Sequence, residues 1–210
     1  MKTSYLKHLG KIALLIPVLA VFACQEDLVN QDVYGTSVLP ELTASDQEAL
    51  YFMLEEEKLA KDVYGYLAAY WNHNTFENIE RSESSHVNAV ATLMDAYNLE
   101  YDLGAAGVFE NQELQELYHS LIAVGEADLG SALTVGATIE DLDIKDLENY
   151  LNEVTNPWIQ NVFTSLQCGS KNHLRAFTGS LDLLEISYVP QYISVIEYES
   201  ILTNDWERCN

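Results

Sequence analysis

Six side chains interrupt apolar helical stripes in this chain with groups that can hold a metal ion. At 100° per residue, Glu57 falls at the centre of a face made by Leu50, Met53, Leu54, Tyr64, Ala68 and Trp71. Glu83 and His86, three apart and so on one face, sit within the stripe Phe76, Ile79, Val87, Val90, Met94 and Tyr97. Glu140 and Asp143 repeat the pattern among Leu129, Leu133, Ile144, Leu147 and Leu151, and His173 is flanked by Ile159, Val162, Leu166, Phe177 and Leu184. A carboxylate on a buried face is costly unless something pairs with it. A lone buried glutamate ordinarily finds an arginine, but here 10 Lys and Arg face 33 Asp and Glu, and three of the ten lie at the extreme amino terminus. Lys61, one turn from Glu57, is the main basic residue near these faces. Glu55 and Glu56 are expected to point away, solvated or flanking.

Two divalent cations would cancel the charge of Glu57, Glu83, Glu140 and Asp143, and the imidazoles of His86 and His173 would add neutral nitrogen donors. Carboxylate with imidazole suits iron, manganese or zinc. The expected cofactor is therefore a pair of divalent transition metals, iron first among them. Bundles that hold such pairs use a Glu on each of two helices and Glu-x-x-His on each of the other two. Without metal the four acids would repel, and their pKa values would rise. Losing one of them, Glu83 included, is then expected to relieve the metal-free fold.

The elements that must position these groups are helical throughout, since β-branched alternation is missing. The periodicity predicts helices over residues 45–71, 75–98, 128–155 and 157–184, a short helix over 111–124, and a last amphipathic helix over 191–203. Ser45 with Glu48 three on reads as a capping box for the first. Asn156-Pro157 reads as a cap followed by proline at the first helical position. The fold class is all-α: a four-helix bundle with a minor helix in the connection between the second and third long helices, and a carboxy-terminal helix.

The amino terminus has another purpose. Lys2, Lys7 and Lys11 precede an apolar run at residues 12–23, about a dozen long where a spanning helix needs about 20. That is a signal peptide's pattern, and Val21-Phe22-Ala23-Cys24 resembles the lipobox of bacterial lipoproteins, with Cys24 as the lipidated residue. The expected organisation is a signal peptide at 1–23, a tether at 24–44 and one domain at 45–210. The expected location is the cell envelope, lipid-anchored at Cys24, in the outer rather than the inner membrane, with surface exposure as a further option. The net charge of −23 becomes more acidic still once the three lysines are removed. Such a surface argues against nucleic acid and anionic membranes as partners. Cys168 and Cys209 can pair in an oxidising compartment, and no Cys-x-x-Cys spacing suggests a thiolate zinc site.

Glu57-Lys-Leu-Ala-Lys-Asp-Val-Tyr64 resembles the first-helix metal motif of rubrerythrins and other ferritin-like proteins, and Glu83-Ser-Ser-His86 resembles their second-helix Glu-x-x-His. With Phe76-Glu-Asn-Ile79 and Gly169-Ser-Lys-Asn-His-Leu-Arg-Ala-Phe177, these segments resemble the ferritin-like family known as domain of unknown function 2202. The resemblance covers roughly residues 50–177 and implies a ferritin-like bundle with a metal site, but no settled reaction. One departure stands out: the ferritin pattern wants Glu three before His173, and this chain has Ser170. Asp143 is the candidate to supply the missing acid. Three functions follow as alternatives. The chain is a di-iron oxidoreductase acting on peroxide or dioxygen, dependent on a separate electron-donor protein; or a non-catalytic metal-binding and buffering lipoprotein; or an interaction domain whose metal is structural or lost. An oligomer is compatible with each.

Overall fold

A computed structural model describes residues 39–209. The signal segment, Cys24 and the tether as far as residue 38 lie outside the described residues. Among those described, every regular element is a helix: α1 (Ala44–Trp71), α2 (Asn74–Ala96), α3 (Gln112–Gly125), α4 (Leu129–Glu153), α5 (Pro157–Asp182) and α6 (Val195–Thr203). None is long and apolar enough to cross a membrane. The architecture is the expected all-α bundle. α1 pairs with α2 and α4 with α5, the two pairs face each other, and α3 lies across α1 and α4.

Local chemistry explains most boundaries. Asn156 caps α5 by accepting from Trp158 N at 2.9 Å and Ile159 N at 3.4 Å, with Pro157 at the first turn as expected. The cap of α1 is not Ser45 but Thr43. Its hydroxyl accepts from Asp46 N at 3.1 Å, and Asp46 accepts from Thr43 N at 2.9 Å, so the capping box lies two residues earlier. Asp46 wins because it also accepts from Thr155 N at 2.9 Å and Asn156 N at 3.3 Å, fixing the α4–α5 turn against the start of α1. The last helix begins at Val195 instead of residue 191. Asp141, fully buried, takes the amides of Gln191, Tyr192 and Ile193 at 2.5, 3.2 and 2.8 Å and the Tyr188 hydroxyl at 2.7 Å. A carboxylate on α4 thus pins the segment ahead of the last helix, and Ser194 caps the helix that follows.

The interior is divided. One apolar cluster holds Leu59, Val63, Tyr64 and Leu67 of α1 with Phe76, Leu133, Phe177 and Leu181. A second holds Leu50, Met53 and Leu54 of α1 with Val90, Met94, Leu147, Ile159 and Phe163. Along α1, α2, α4 and α5 the chain passes from one cluster to the other through a short polar stretch, and these four stretches meet at mid-bundle. They contain the six metal-ligating candidates. Close helix approach there relies on glycine: a Cβ at Gly136 of α4 would collide with the Phe177 ring of α5.

Candidate metal centre

Glu83 is the hub. Its Oε2 lies 2.8 Å from His86 Nδ1, and its Oε1 lies 2.6 Å from His173 Nδ1. His86 Nδ1 is also 3.1 Å from Glu57 Oε2, and His173 Nδ1 is 3.4 Å from Glu140 Oε2. The two rings stack 5.4 Å apart. Glu83, His86 and His173 form the one group among the described residues whose ligand atoms all lie within 4.8 Å of one another. Glu57, Glu83, Glu140 and His173 are buried, and the His86 side chain is 12% exposed. Five of the six expected residues are thus joined in one chain of contacts. Asp143 is buried beside them but bonds to none of the other five. Its Oδ2 accepts from the Ser170 hydroxyl, the residue that stands where a fourth-helix acid was wanted.

Three further groups hold the ligands in place, and the stripes do not single them out. Tyr64 OH donates to Glu140 Oε1 at 2.5 Å. Ser82 Oγ sits 2.8 Å from His173 Nε2, so Nε2 faces the serine and Nδ1 faces Glu83 and Glu140. Gly169 leaves room for the other ring, since a Cβ there would come within 2.6 Å of His86 Nε2. Tyr64 carries a signal in its spacing, seven residues after Glu57 and two turns along the same face. Ser82 and Gly169 carry no periodic signal.

Glu56 does not point into solvent. It is 3% exposed, and neither carboxyl oxygen has a hydrogen-bond partner. The expectation fails because α1 is covered on two sides, by α2 and by α3 with α4, so the neighbouring positions 56 and 57 are both interior. The missed signal is Met53, Leu59 and Val63, apolar at helical spacing around Glu56. Glu55 is engaged as well, taking the amides of Glu110 and Asn111 at 2.5 and 2.9 Å and so fixing the start of α3. Lys61 does not neutralise Glu57; its ammonium is 3.6 Å from Asp62. Lys58 is bound at 2.5 Å to the same aspartate.

The charge distribution follows from these contacts. Burial pushes Glu83 up, but His86 and His173 outweigh it and hold the carboxyl well below its usual range. Burial pulls both imidazoles down. Glu83 and Glu57 outweigh it at His86, which is raised well above its ordinary value, and Glu83 and Glu140 raise His173 to about 10. Glu57 is raised well above the carboxylate range by burial and then by Asp143. Burial and then Glu140 raise Asp143 to about 8. Glu140 is raised by burial, with His173 pulling the other way.

Several buried atoms here have no hydrogen-bond partner: Glu57 Oε1, Glu83 Oε1, Asp143 Oδ1 and His173 Nδ1. Glu83 Oε1 and His173 Nδ1 are close but misaligned for a hydrogen bond, so the carboxylate oxygen keeps a lone pair free and the imidazole nitrogen would offer one on giving up its proton. Buried polar atoms are nearly always satisfied, and a set of unsatisfied atoms on carboxylates and an imidazole is, once deprotonated, the donor set a divalent transition metal takes. The residues therefore fit a metal.

A surface cleft of about 520 Å³ reaches this place from the α2–α5 side, with Ser82, His86, Gly169, His173 and Trp206 among its walls. Its outer wall is the carboxy-terminal segment. Cys168 and Cys209 are disulfide-bonded with Cα atoms 5.5 Å apart, inside the roughly 7 Å limit for such a bond. Arg175 Nη2 holds Glu207 at 3.1 Å, and Asn172 exchanges two 3.0 Å hydrogen bonds with the Glu207 backbone.

Comparison with known proteins supports the helical fold. The uncharacterized protein MJ0754 of Methanocaldococcus jannaschii is 44% identical over 169 residues, which cover 80% of this chain and 91% of that protein. The crystal structure of hypothetical protein MJ0754 matches with a TM-score of 0.78 at 43% identity, covering 81% of this chain and 100% of that one. Residues 46–205 match the family described as "Uncharacterized protein domain (DUF2202)", and the chain belongs to that family.

Proposed function

We propose that this protein is a ferritin-like metal-binding protein of the cell envelope that holds two divalent transition metals, iron first, at mid-bundle and uses them in redox chemistry on peroxide or dioxygen. The observation that carries the reading is the set of buried, unpartnered atoms on Glu57, Glu83, Asp143 and His173, with no lysine or arginine against them. Glu83 would serve both metals, because its two oxygens already face different histidines. Glu57 and His86 would hold one, and Glu140 and His173 the other. Iron bound there would supply one-electron exchange with an oxygen species. The chain's own groups do the rest. Tyr64 donates a hydrogen bond that steadies the Glu140 carboxylate, Ser82 orients His173, and the cleft at His86 and His173 admits a small oxidant while the bundle excludes bulk water. Electrons would come from a separate donor protein.

Ser170 favours a second reading, in which one metal is held firmly and the other weakly or not at all, and the protein buffers metal without turnover. Metal analysis of the purified protein and peroxide consumption by the iron-loaded form separate the two. About two irons per chain with turnover supports the redox reading, and about one metal without turnover supports the second. A protein that retains no metal, even after loading, leaves only an interaction domain. The envelope location is tested by Cys24→Ala, which is expected to move the protein out of the membrane fraction; unchanged fractionation and fatty-acid labelling would refute the anchor.

A further inference from the structure

Glu56 is unused by the metal centre, yet it is interior, with both carboxyl oxygens unpartnered. Half-buried Asp146 on α4 lies within hydrogen-bonding reach of it. Two carboxylates can bond to each other only through a shared proton, so as anions they repel. An apolar side chain at position 56 would avoid that penalty.

Asp146 is not isolated. Glu140, Asp143 and Asp146 follow one another at three-residue spacing, along one side of α4. Asp146 also lines a surface cleft of about 240 Å³ between the start of α1 and the end of α4, together with Glu48, Phe52, Tyr150 and Glu153. Glu48, Phe52 and Glu56 stand four apart on α1, so one face of that helix runs from the cleft to the buried acid. Glu48, Asp146 and Glu153 thus share the cleft with the Tyr150 ring, and burial with their charges and that of Glu56 raises its hydroxyl to about 12. The nearest base, Lys145, is engaged with Glu148 at 2.7 Å.

We propose that Glu56 and Asp146 form a transit site for a divalent metal cation, which enters by the α1–α4 cleft past Glu48 and Glu153 and leaves inward to Glu57 and Asp143. The inference rests on the proposed metal centre and adds its supply route. Cations enter where acids are exposed, and a small oxidant enters at the opposite α2–α5 cleft. Glu56 is the step between surface and centre: it does not line the cleft itself but sits beside Asp146, which does, and neither of its oxygens accepts from a hydrogen-bond donor.

The test is cobalt uptake. Metal-free, oxidised full-length protein is mixed with Co²⁺ alone, and the ligand-field absorption gives a rate and a final amplitude. Glu56→Gln and Asp146→Asn are each expected to slow uptake at least tenfold and to leave the amplitude unchanged. Glu113→Gln, which removes one exposed charge from α3, should leave both unchanged. An unchanged rate in folded Glu56→Gln would mean that Glu56 only shares a proton with Asp146, and the route is wrong. A lowered amplitude would make Glu56 a ligand of the centre, which also overturns transit. Should Glu56→Gln fail to fold, half-exposed Asp146→Asn decides alone by the same criteria. Failure of the centre is a separate result: wild-type protein takes up no cobalt, or Glu83→Ala keeps the full amplitude.

Discussion

The two halves of the mid-bundle belt solve the same problem differently. Around Glu83 two imidazoles supply the opposite charge, so carboxylate and imidazoliums stabilise one another without any metal. Around Glu57, Asp143 and Glu56 there is no base to do this apart from the edge of His86, and burial with mutual repulsion drives these acids to hold protons. Ser170, where another carboxylate would have added to the strain, instead donates to Asp143. The first half is an ion cluster that a metal would take over by displacing protons from nitrogen. The second needs either protons or a cation to exist at all.

This contrast revises the expectation that removing any of the acids relieves the metal-free protein. Glu83→Ala removes the one carboxylate the histidines hold ionised. It should lower metal affinity by more than about 100-fold, beyond the 10–100-fold typical of groups that merely support ligands, and should destabilise the metal-free form by about 3 kcal/mol, as breaking a buried ion pair does. Glu57→Gln should also lose metal but raise the metal-free melting temperature. Metal titration and calorimetry on both variants check this; a metal-free Glu83→Ala more stable than wild type would erase the distinction between the halves.

The next largest effect is on pH dependence. An aspartate at 3.8 when unfolded and about 8 when folded keeps a proton that the unfolded chain has lost, so its contribution to stability falls as pH rises between those values. His173, at 6.5 unfolded and about 10 folded, stabilises fully below 6.5 and loses that contribution as pH rises through 10. Both have the same sign. The metal-free protein should lose on the order of 10 °C in melting temperature between about pH 6 and about pH 9. Asp143→Asn should flatten part of that slope, and metal loading most of it, because the metal replaces the protons. A melting temperature that climbs with pH across this window would contradict the assignment.

Two smaller effects sharpen the nitrogen-rich half. Gly169→Ala pushes a methyl against His86 and should cost about 1–3 kcal/mol as overpacking, with about tenfold weaker metal binding by titration. Ser82→Ala frees Nε2 of His173 and should weaken metal binding by roughly tenfold, at the low end for a ligand-orienting group, without changing stoichiometry. No effect of Ser82→Ala would mean that the serine does not set the ring's orientation.

Much of the candidate site is legible in the amino-acid sequence. Glu57, Glu83, His86, Glu140 and His173 each break a single apolar stripe, and periodicity reports such breaks directly. The long helices and the Asn156-Pro157 start are equally plain, because caps are local. What stays hidden depends on contacts distant in sequence. Asp141 pins the segment before the last helix by taking amides some fifty residues away, and Asp46 moves the first cap by holding the α4–α5 turn. Glu56 is hidden because a helix buried on two sides has no single stripe to break. Gly169 and Ser82 are hidden because their importance lies in the space and the hydrogen bond they offer to histidines.

The bond between Cys168 and Cys209 bears on how the protein must be prepared. Expressed in a reducing cytoplasm, the chain would carry two thiols next to Gly169 at the mouth of the histidine cleft. Thiolates with nearby imidazoles attract zinc and other soft ions, so a stoichiometry measured on such material would include metal captured at the doorway. Cys209 itself lines that opening, so a carboxy-terminal polyhistidine tag would bring further histidines close to it. Oxidised protein with an unextended carboxy terminus is the form in which a metal count refers to the bundle's interior.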